Sequence, residues 1–127
     1  MKKVLLVEDN QDLQFLLTIQ LKSLGVSVIS ANNGVEGVNK AIEEKPDLIL
    51  MDILMPGMDG REATRMIRSN PVTKDIPIIA VSVLFRHSDR KSCFEAGCNE
   101  YIVKPFSFNV LQEKIRALIP ISKPISK

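Results

Sequence analysis

The sequence predicts an α/β protein built on a parallel sheet, and three observations support this expectation. Short apolar runs of strand length recur along the chain, with helical patterns between them. The run Leu48–Met51 has no polar residue at alternate positions, which is typical of a central strand covered on both faces. At 127 residues, the chain is long enough for one domain with a single core and too short for two.

The composition is that of an ordinary soluble globular protein, with 45% hydrophobic and 25% charged residues. The net charge of +2 is too small to indicate nucleic-acid binding. No apolar run approaches the roughly 20 residues that a membrane-spanning helix needs. The apolar run after Lys3 is too short for a signal peptide and meets Glu8 and Asp9 at once. We therefore expect a cytoplasmic protein with neither nucleic-acid nor membrane partners.

The cysteines do not have the spacing of a metal or redox motif. Cys93 and Cys98 lie outside the CxxC pattern, and His87 is the only histidine in the chain. We expect reduced, packed thiols and a histidine on the surface.

The first half of the chain alternates between strand and helix patterns. Lys3–Val7 predicts a buried strand that ends on acids. Leucines recur on one face between residues 11 and 24, which predicts a helix with Asn10 as its N-cap and Gly25 as its end. The leucines of this face are Leu13, Leu16, Leu17, Leu21 and Leu24. Val26–Ala31 predicts a second, shorter strand.

A second helix and the central strand follow. Asn33 and Glu36 resemble a capping box at the helix start, and Pro46 forces the chain out of the helix. The strand from Leu48 ends on a carboxylate, Asp52, after which glycines and a proline turn the chain. An acid at this place lies where open α/β sheets bind their ligands.

Three further units complete the second half of the chain. Asp59 and Glu62 form another capping-box pattern, which predicts a helix with one apolar side, composed of Ala63, Met66 and Ile67. Ile78–Ser82 predicts a buried strand, and residues 89–96 predict a helix. Tyr101–Val103 predicts the last strand. The last helix is predicted to begin after its cap, Ser107, and to end at Pro120. Its apolar face consists of Leu111, Ile115, Leu118 and Ile119.

Five strand–helix units predict a doubly wound, five-stranded parallel sheet with right-handed crossovers and helices on both faces. The natural strand order is the flavodoxin-like 2-1-3-4-5, which makes the first and third strands neighbours. The carboxyl ends of the strands then meet at one edge of the sheet. The polar residues expected there are Glu8, Asp9, Asp52, Ser82 and Lys104.

These side chains suit phosphoryl chemistry with a divalent cation. Three carboxylates repel one another, and a hard cation with oxygen ligands, Mg2+, relieves that repulsion. Asp52 is the candidate nucleophile, because a carboxylate can accept a phosphoryl group as an acyl phosphate. Lys104 supplies a cation for phosphate oxygens, and Ser82 supplies a hydroxyl donor. The sequence contains no Gly-rich phosphate loop, so a nucleotide is not the expected donor.

The ordered set of motifs resembles the receiver domain of two-component response regulators. It comprises Glu8-Asp9-Asn10, Asp52-x-x-Met55-Pro56-x-Met58-Asp59-Gly60, Ser82, Tyr101 and Lys104-Pro105-Phe106. The resemblance covers about residues 2 to 119 and implies a receiver domain over 1–120 with a tail at 121–127. It also implies a chemotaxis-regulator-like protein. Met1, directly before the first strand, favours a free-standing protein over the alternative, a receiver cut from a larger hybrid kinase.

The resemblance assigns a role to each site residue. Asp52 would be the phosphoacceptor, Lys104 would contact the phosphoryl group, and Ser82 and Tyr101 would form a switch pair. In that pair the hydroxyl moves to the phosphate and the ring follows into the space left. Mg2+ would be bound by Glu8, Asp9, Asp52 and the backbone carbonyl of Leu54. The Lys104–Pro105 bond would be cis.

The resemblance also implies partners and departures from the family pattern. A histidine kinase or histidine phosphotransfer protein would supply the phosphoryl group beside the first helix, where Phe15 and Ile19 could extend an apolar patch or pack internally. A downstream partner would bind the face of the fourth helix, fifth strand and fifth helix. Ser82 replaces the commoner threonine, and Val83 stands where a small residue is usual. Leucines at 54 and 84 flank the path of hydrolytic water, which predicts a persistent phosphorylated form.

Two other functions share parts of this pattern. A phosphatase of the haloacid-dehalogenase type would have a second aspartate two residues after the first, where this chain has Leu54. A pseudo-receiver would be expected to lose the acids or the lysine, and this chain retains them. We therefore expect a phospho-accepting domain that promotes its own phosphorylation and slow dephosphorylation, not an enzyme.

Overall fold

A computed structural model of the chain describes residues 1–121. The strands are β1 (Lys3–Val7), β2 (Ser27–Ala31), β3 (Leu48–Asp52), β4 (Ile78–Ser82) and β5 (Glu100–Val103). The helices are α1 (Gln11–Ser23), α2 (Gly34–Glu44), α3 (Gly60–Ser69), α4 (His87–Ala96) and α5 (Phe108–Leu118). The predicted tail at 121–127 lies outside the described residues, apart from Ile121.

All five strands are parallel and form one sheet in the order β2-β1-β3-β4-β5, which confirms the predicted fold class. The register determines which polar residues meet at the carboxyl edge. Val7 is aligned with Met51. The next residues, Glu8 after β1 and Asp52 at the end of β3, therefore lie side by side at the carboxyl edge of the sheet. Asp52 is aligned with Val81, which brings the end of β4 next to the same point.

The sheet separates two apolar cores. Alternate strand residues point to opposite faces, so Leu5 and Val7 belong to one core and Val4 and Leu6 to the other. The first core is covered by α2, α3 and α4, and the second by α1 and α5. Residues 48–52 of β3 are buried throughout, as the unbroken apolar run predicted.

Two helix faces differ from the sequence expectation. Leu16 of α1 and Met66 of α3 are exposed, although both fall on the predicted apolar faces. Thr64 is buried in place of Met66, and its hydroxyl donates to the Gly60 carbonyl at 2.8 Å. A threonine can therefore occupy a helix face in the core, because the preceding turn satisfies its hydroxyl.

The capping patterns are only partly as predicted. Asn33 accepts from the Glu36 N–H at 2.8 Å, but the Glu36 carboxylate accepts from the N–H of Asn32, one residue before the expected partner. The Asp59 carboxylate accepts from the Arg61 N–H at 2.7 Å rather than from that of Glu62. The guanidinium of Arg61 also binds Asp59, which explains why a capping box with Glu62 does not form.

The expectations for the cysteines and the histidine are confirmed. Cys93 and Cys98 are free, buried thiols, and His87 is exposed. Helix α4 begins at His87, two residues earlier than predicted. Within residues 1–121, no helix has the length and apolar character needed to cross a membrane.

Gly60 allows α3 to begin close against the end of β3. Its N–H donates to the Ile53 carbonyl at 2.8 Å. A Cβ at this position would collide with the backbone carbonyl of Asp52 and lie 2.7 Å from the Ile53 Cα. Because both obstacles are backbone atoms, the strand that carries Asp52 would have to move.

We expect Gly60→Ala to lower the free energy of unfolding by about 1–3 kcal/mol, the usual range for overpacking. Gly34→Ala is the comparison variant, since its Cβ would lie 3.0 Å from the Met58 side chain and 3.1 Å from the Met58 carbonyl oxygen, contacts less severe than those at Gly60. Urea denaturation of both variants measures the difference. Equal losses would contradict the close-approach argument.

Candidate functional site

Three carboxylates meet at the carboxyl edge of the sheet, as the sequence predicted. Glu8 and Asp9 follow β1, and Asp52 ends β3. One carboxylate oxygen from each lies within 4.8 Å of the others, a spacing at which the three could hold a metal ion. Glu8 and Asp52 are only 2% and 4% exposed, and Asp9 is the most exposed of the three. We call these three residues the acid cluster.

Lys104 reaches the acid cluster from the loop after β5. Its Nζ lies 3.2 Å from Glu8 Oε1 and 3.3 Å from Asp52 Oδ1, so one ammonium bridges both buried acids. The Lys104 N–H donates to the Ser82 carbonyl at 2.8 Å, and the Lys104–Pro105 bond is cis, as the resemblance implied. The loop is therefore tied to the end of β4 while its side chain points to the acids.

Glu8 has further partners that the motifs did not reveal. Its second carboxylate oxygen accepts from the Asn10 N–H at 3.1 Å. Its backbone carbonyl accepts from the side-chain amide of Gln14 at 2.9 Å. A glutamine in the second turn of a helix belongs to no motif, so only its position in the fold identifies it.

The environment of Asp52 favours its protonated form. Burial, followed by the negative charge of Glu8, raises the pKa of Asp52 from 3.8 to about 7, although the Lys104 ammonium opposes this shift. The folded protein thus keeps a proton that the unfolded chain releases. Stability contributed by this group consequently falls as the pH rises from about 4 to about 7.

The acid cluster fits Mg2+ in donor chemistry. It offers carboxylate oxygens only, which hard divalent cations prefer, and neither buried cysteine is part of it. Two of its members are buried near each other with one lysine between them, so an added cation would reduce the remaining repulsion. Leu54, whose carbonyl was the fourth expected ligand, follows β3 in the loop to α3.

The predicted switch residues lie on β4 and β5, and the backbone of Leu84 connects them. The buried Ser82 Oγ accepts from the Leu84 N–H at 3.1 Å, and the Tyr101 hydroxyl donates to the Leu84 carbonyl at 2.7 Å. The Arg90 guanidinium lies 5.3 Å from the centre of the Tyr101 ring. Burial raises the pKa of Tyr101, and the ring is already enclosed in this structure.

An apolar groove of about 370 Å³ lies beside the acid cluster, between α1 and the loop after β5. We call it the donor groove, and its lining residues are Leu13, Leu16, Leu17, Gln20, Val83, Lys104, Pro105 and Phe106. Phe15 and Ile19 of α1 are 70% and 53% exposed, so they do not pack internally. Lys104 belongs to both the groove and the acid cluster, which makes the two features continuous.

Known proteins resemble this chain in sequence and in fold. Protein PilH from Pseudomonas aeruginosa is 36% identical over 119 residues, which cover 94% of this chain and 98% of PilH. Many other curated relatives are longer, and the chain spans about half of their length.

Two similar structures contain magnesium. The receiver domain of the sensor histidine kinase PA1611 from Pseudomonas aeruginosa, with a magnesium ion coordinated in its active-site cleft, is 38% identical, with a TM-score of 0.86 and coverage of 92% of this chain and 96% of that one. The response regulator TrrA from Thermotoga maritima, in complex with Mg2+-BeF, is 34% identical, with a TM-score of 0.84 and coverage of 94% and 100%. The family model described as the response regulator receiver domain matches residues 4–116, and the chain therefore belongs to this family.

Proposed function

We propose that this chain accepts a phosphoryl group on Asp52 and acts as a signalling switch in a phosphorelay. The observation that carries the proposal is the Lys104 ammonium, which bridges Glu8 and Asp52 inside a cluster of three carboxylates. The chain would accept the group and lose it slowly, in the manner of a signalling domain rather than a turnover enzyme. Receiver domains interact with histidine kinases or phosphotransfer proteins and with downstream partners.

The proposed transfer needs an ionised Asp52. One of its oxygens attacks the phosphorus of a phosphohistidine, the O–P bond forms, and the P–N bond breaks with its electron pair left on the histidine nitrogen. Glu8, Asp9, Asp52 and the Leu54 carbonyl would hold Mg2+, which supplies positive charge to the phosphoryl oxygens. Lys104, which binds Asp52 directly, would turn its ammonium to the same oxygens.

We expect Asp52→Asn to abolish phosphoryl uptake from acetyl phosphate while retaining the fold, because the amide is a similar shape and a poor nucleophile. Asp9→Ala is expected to weaken Mg2+ binding first and uptake as a consequence. Mass spectrometry of the treated proteins measures the adduct, with Asp75→Asn, an exposed acid far along the chain, as the control. A labelled aspartate in Asp52→Asn, or unchanged Mg2+ affinity in Asp9→Ala, would refute these roles.

Ser82 and Tyr101 are proposed to transmit the phosphorylated state. The Ser82 hydroxyl accepts from Leu84 and can still donate its own proton to a phosphoryl oxygen. Because Tyr101 binds the carbonyl of the same residue, a shift of Ser82 would reach the ring through the Leu84 backbone. The Tyr101 ring is already buried in this structure. Phosphorylation would therefore stabilise the buried position of the ring rather than create it.

The output surface is proposed to be the face of α4, β5 and α5. Phe94 of α4 and Val110 of α5 are partly exposed, and Phe85 in the preceding loop is strongly exposed. Apolar side chains at such positions are available to a protein partner. Arg90 lies over Tyr101, which links this face to the switch pair.

The donor groove is proposed to receive the helices of the histidine donor. Its continuity with Lys104 would bring a bound donor to the phosphorylation site. Leu16 in the groove and Phe15 and Ile19 at its side give α1 an exposed apolar surface, which an amphipathic helix could cover. Acetyl phosphate is a small donor that needs no docking surface. A variant that slows transfer from the histidine donor but not uptake from acetyl phosphate is therefore impaired in docking and not in phosphoryl transfer.

We expect the double variant Phe15→Ser/Ile19→Ser to slow transfer from the cognate histidine donor by roughly tenfold or more, equal to about 1.4 kcal/mol of barrier. Uptake from acetyl phosphate should stay unchanged. Val72→Ser, which alters an exposed apolar residue between α3 and β4, is the control. Rapid-quench transfer assays give the rates, and an unchanged transfer rate in the double variant would exclude this surface from docking.

A persistent phosphorylated form is proposed from the residues around the acceptor. Leu54 is 45% exposed, and Leu84 is half-buried with its backbone fixed by both switch residues. Neither side chain can hydrogen-bond an attacking water. Val83 is exposed and lines the donor groove, so it adds apolar surface near the same entrance.

The double variant Leu54→Asn/Leu84→Glu should lose phosphate faster than the wild type, by roughly tenfold, because polar groups can orient water for attack. The decay of phosphorylated protein after removal of the donor provides the rate, and Val72→Asn controls for an added polar group. Equal or slower decay in the double variant would contradict the shielding role.

The receiver unit is proposed to occupy residues 1–120. The match to the family over residues 4–116 and the end of α5 at Leu118 support these bounds. The cytoplasmic location and the lack of nucleic-acid and membrane partners stay predictions from the sequence.

A further inference from the structure

Gln14 joins the turn that carries two of the acids to the end of β2. Its side-chain Nε2 donates to the Glu8 carbonyl at 2.9 Å and to the Asn32 Oδ1 at 3.0 Å. The Ala31 carbonyl lies at the limit of hydrogen bonding, 3.5 Å from the same nitrogen. Gln14 is half-buried on α1; its bond to Glu8 is partly shielded from water, whereas its bond to Asn32 is exposed.

The acceptor at Asn32 is itself held in place. Its Oδ1 also accepts from the side-chain amide of Gln11 at 2.9 Å. Its backbone N–H donates to the Glu36 carboxylate at 2.6 Å, a bond that lowers the pKa of Glu36. Gln14 is therefore anchored to the first turn of α2 through Asn32, and its other hydrogen is directed at Glu8.

The bond to Glu8 fixes the peptide that precedes Asp9. A peptide group is planar, so the direction of the Glu8 carbonyl also sets the position of the Asp9 N–H and Cα. The Glu8 N–H is held on the other side by the Ala31 carbonyl at 3.0 Å. The Glu8 side chain has its own partners in Lys104 and Asn10. The Asp9 side chain extends from the Cα that this peptide places, and it interacts with Asp52.

We infer that Gln14 is a positioning residue for Mg2+, because it holds the Glu8–Asp9 peptide so that the Asp9 carboxylate faces Asp52. The inference rests on the proposed assignment of Asp9 and Asp52 as Mg2+ ligands. Groups that orient metal ligands without touching the metal commonly change affinity by about 10–100-fold when they are removed. Gln14 does not contact the phosphoryl group in this account, so its loss acts on Mg2+ binding and not on the transfer step.

Gln14→Met tests this role, since methionine has a similar length and shape but no N–H donor. Gln11→Met is the matched control: it removes a bond to the same Asn32 oxygen but none to Glu8. Mg2+ affinity is measured by titration of backbone amide chemical shifts in the unphosphorylated proteins. We expect the Mg2+ dissociation constant to rise about tenfold in Gln14→Met, and by much less in Gln11→Met. Uptake from acetyl phosphate at saturating Mg2+ should remain close to that of the wild type in both.

Other results would overturn the inference. An unchanged dissociation constant in Gln14→Met, or equal losses in both variants, would show that Gln14 has no specific role at the Asp9 peptide. A reduced maximal uptake at saturating Mg2+ would show a general disturbance of the site. Gln14→Leu, which lacks the donor and adds no charge, provides the same test if Gln14→Met does not fold. Asp9→Ala, measured in parallel, tests the metal site itself: if its affinity is unchanged, the proposed function fails, independently of Gln14.

Discussion

Repulsion between buried carboxylates is the constraint on which this site depends. The parallel register of β1 and β3 places Glu8 beside Asp52, and both are almost fully removed from water. A pair of like charges in such surroundings is costly unless a cation compensates or one acid keeps its proton. Lys104 bridges the two acids, and burial together with the charge of Glu8 raises the pKa of Asp52 to about 7.

The same constraint connects the site to the rest of the molecule. Lys104 is tied through its backbone to Ser82, and Ser82 is tied through Leu84 to Tyr101. In the proposed function, a change in the charge around Asp52 that moves Lys104 would therefore act on the end of β4 and on β5. On the other side of Asp52, Arg61 binds Asp59 in the loop after β3 and donates to Ser92 of α4 at 2.9 Å. The α4 helix, which is proposed to take part in output, thus contacts Arg61 through Ser92 and the Tyr101 ring through Arg90.

The sequence could predict most of the fold because its signals are local. Buried parallel strands are continuous apolar runs. Asn10 starts a helix because its side chain accepts the Leu13 N–H, and Gly25 ends that helix because glycine readily adopts a positive φ. The meeting of Glu8, Asp9, Asp52 and Lys104 could be predicted because the strand order places the carboxyl ends of the strands at one edge. The roles of these residues follow from the resemblance to receiver domains and stay predictions.

The features that the sequence did not predict depend on side-chain contacts that belong to no motif. Asp59 caps α3 through Arg61 rather than through a box with Glu62, because a guanidinium supplies two further donors to the same carboxylate. Met66 has the right spacing for the core but lies outside it, while Thr64 enters it with its hydroxyl satisfied locally. Gln14 has no motif at all, and only the packing of α1 against the end of β2 brings its amide to Glu8.

The pKa of Asp52 tests this account most directly. Carbon-detected NMR of the side-chain carboxyl, in protein free of divalent cations, measures it for the wild type and for Lys104→Met. The account predicts a value of about 7 in the wild type, set by burial and Glu8 against Lys104. It predicts a higher value in Lys104→Met, because the compensating cation is gone. A wild-type value near that of a free aspartate, about 4, or an unchanged value in Lys104→Met, would contradict it.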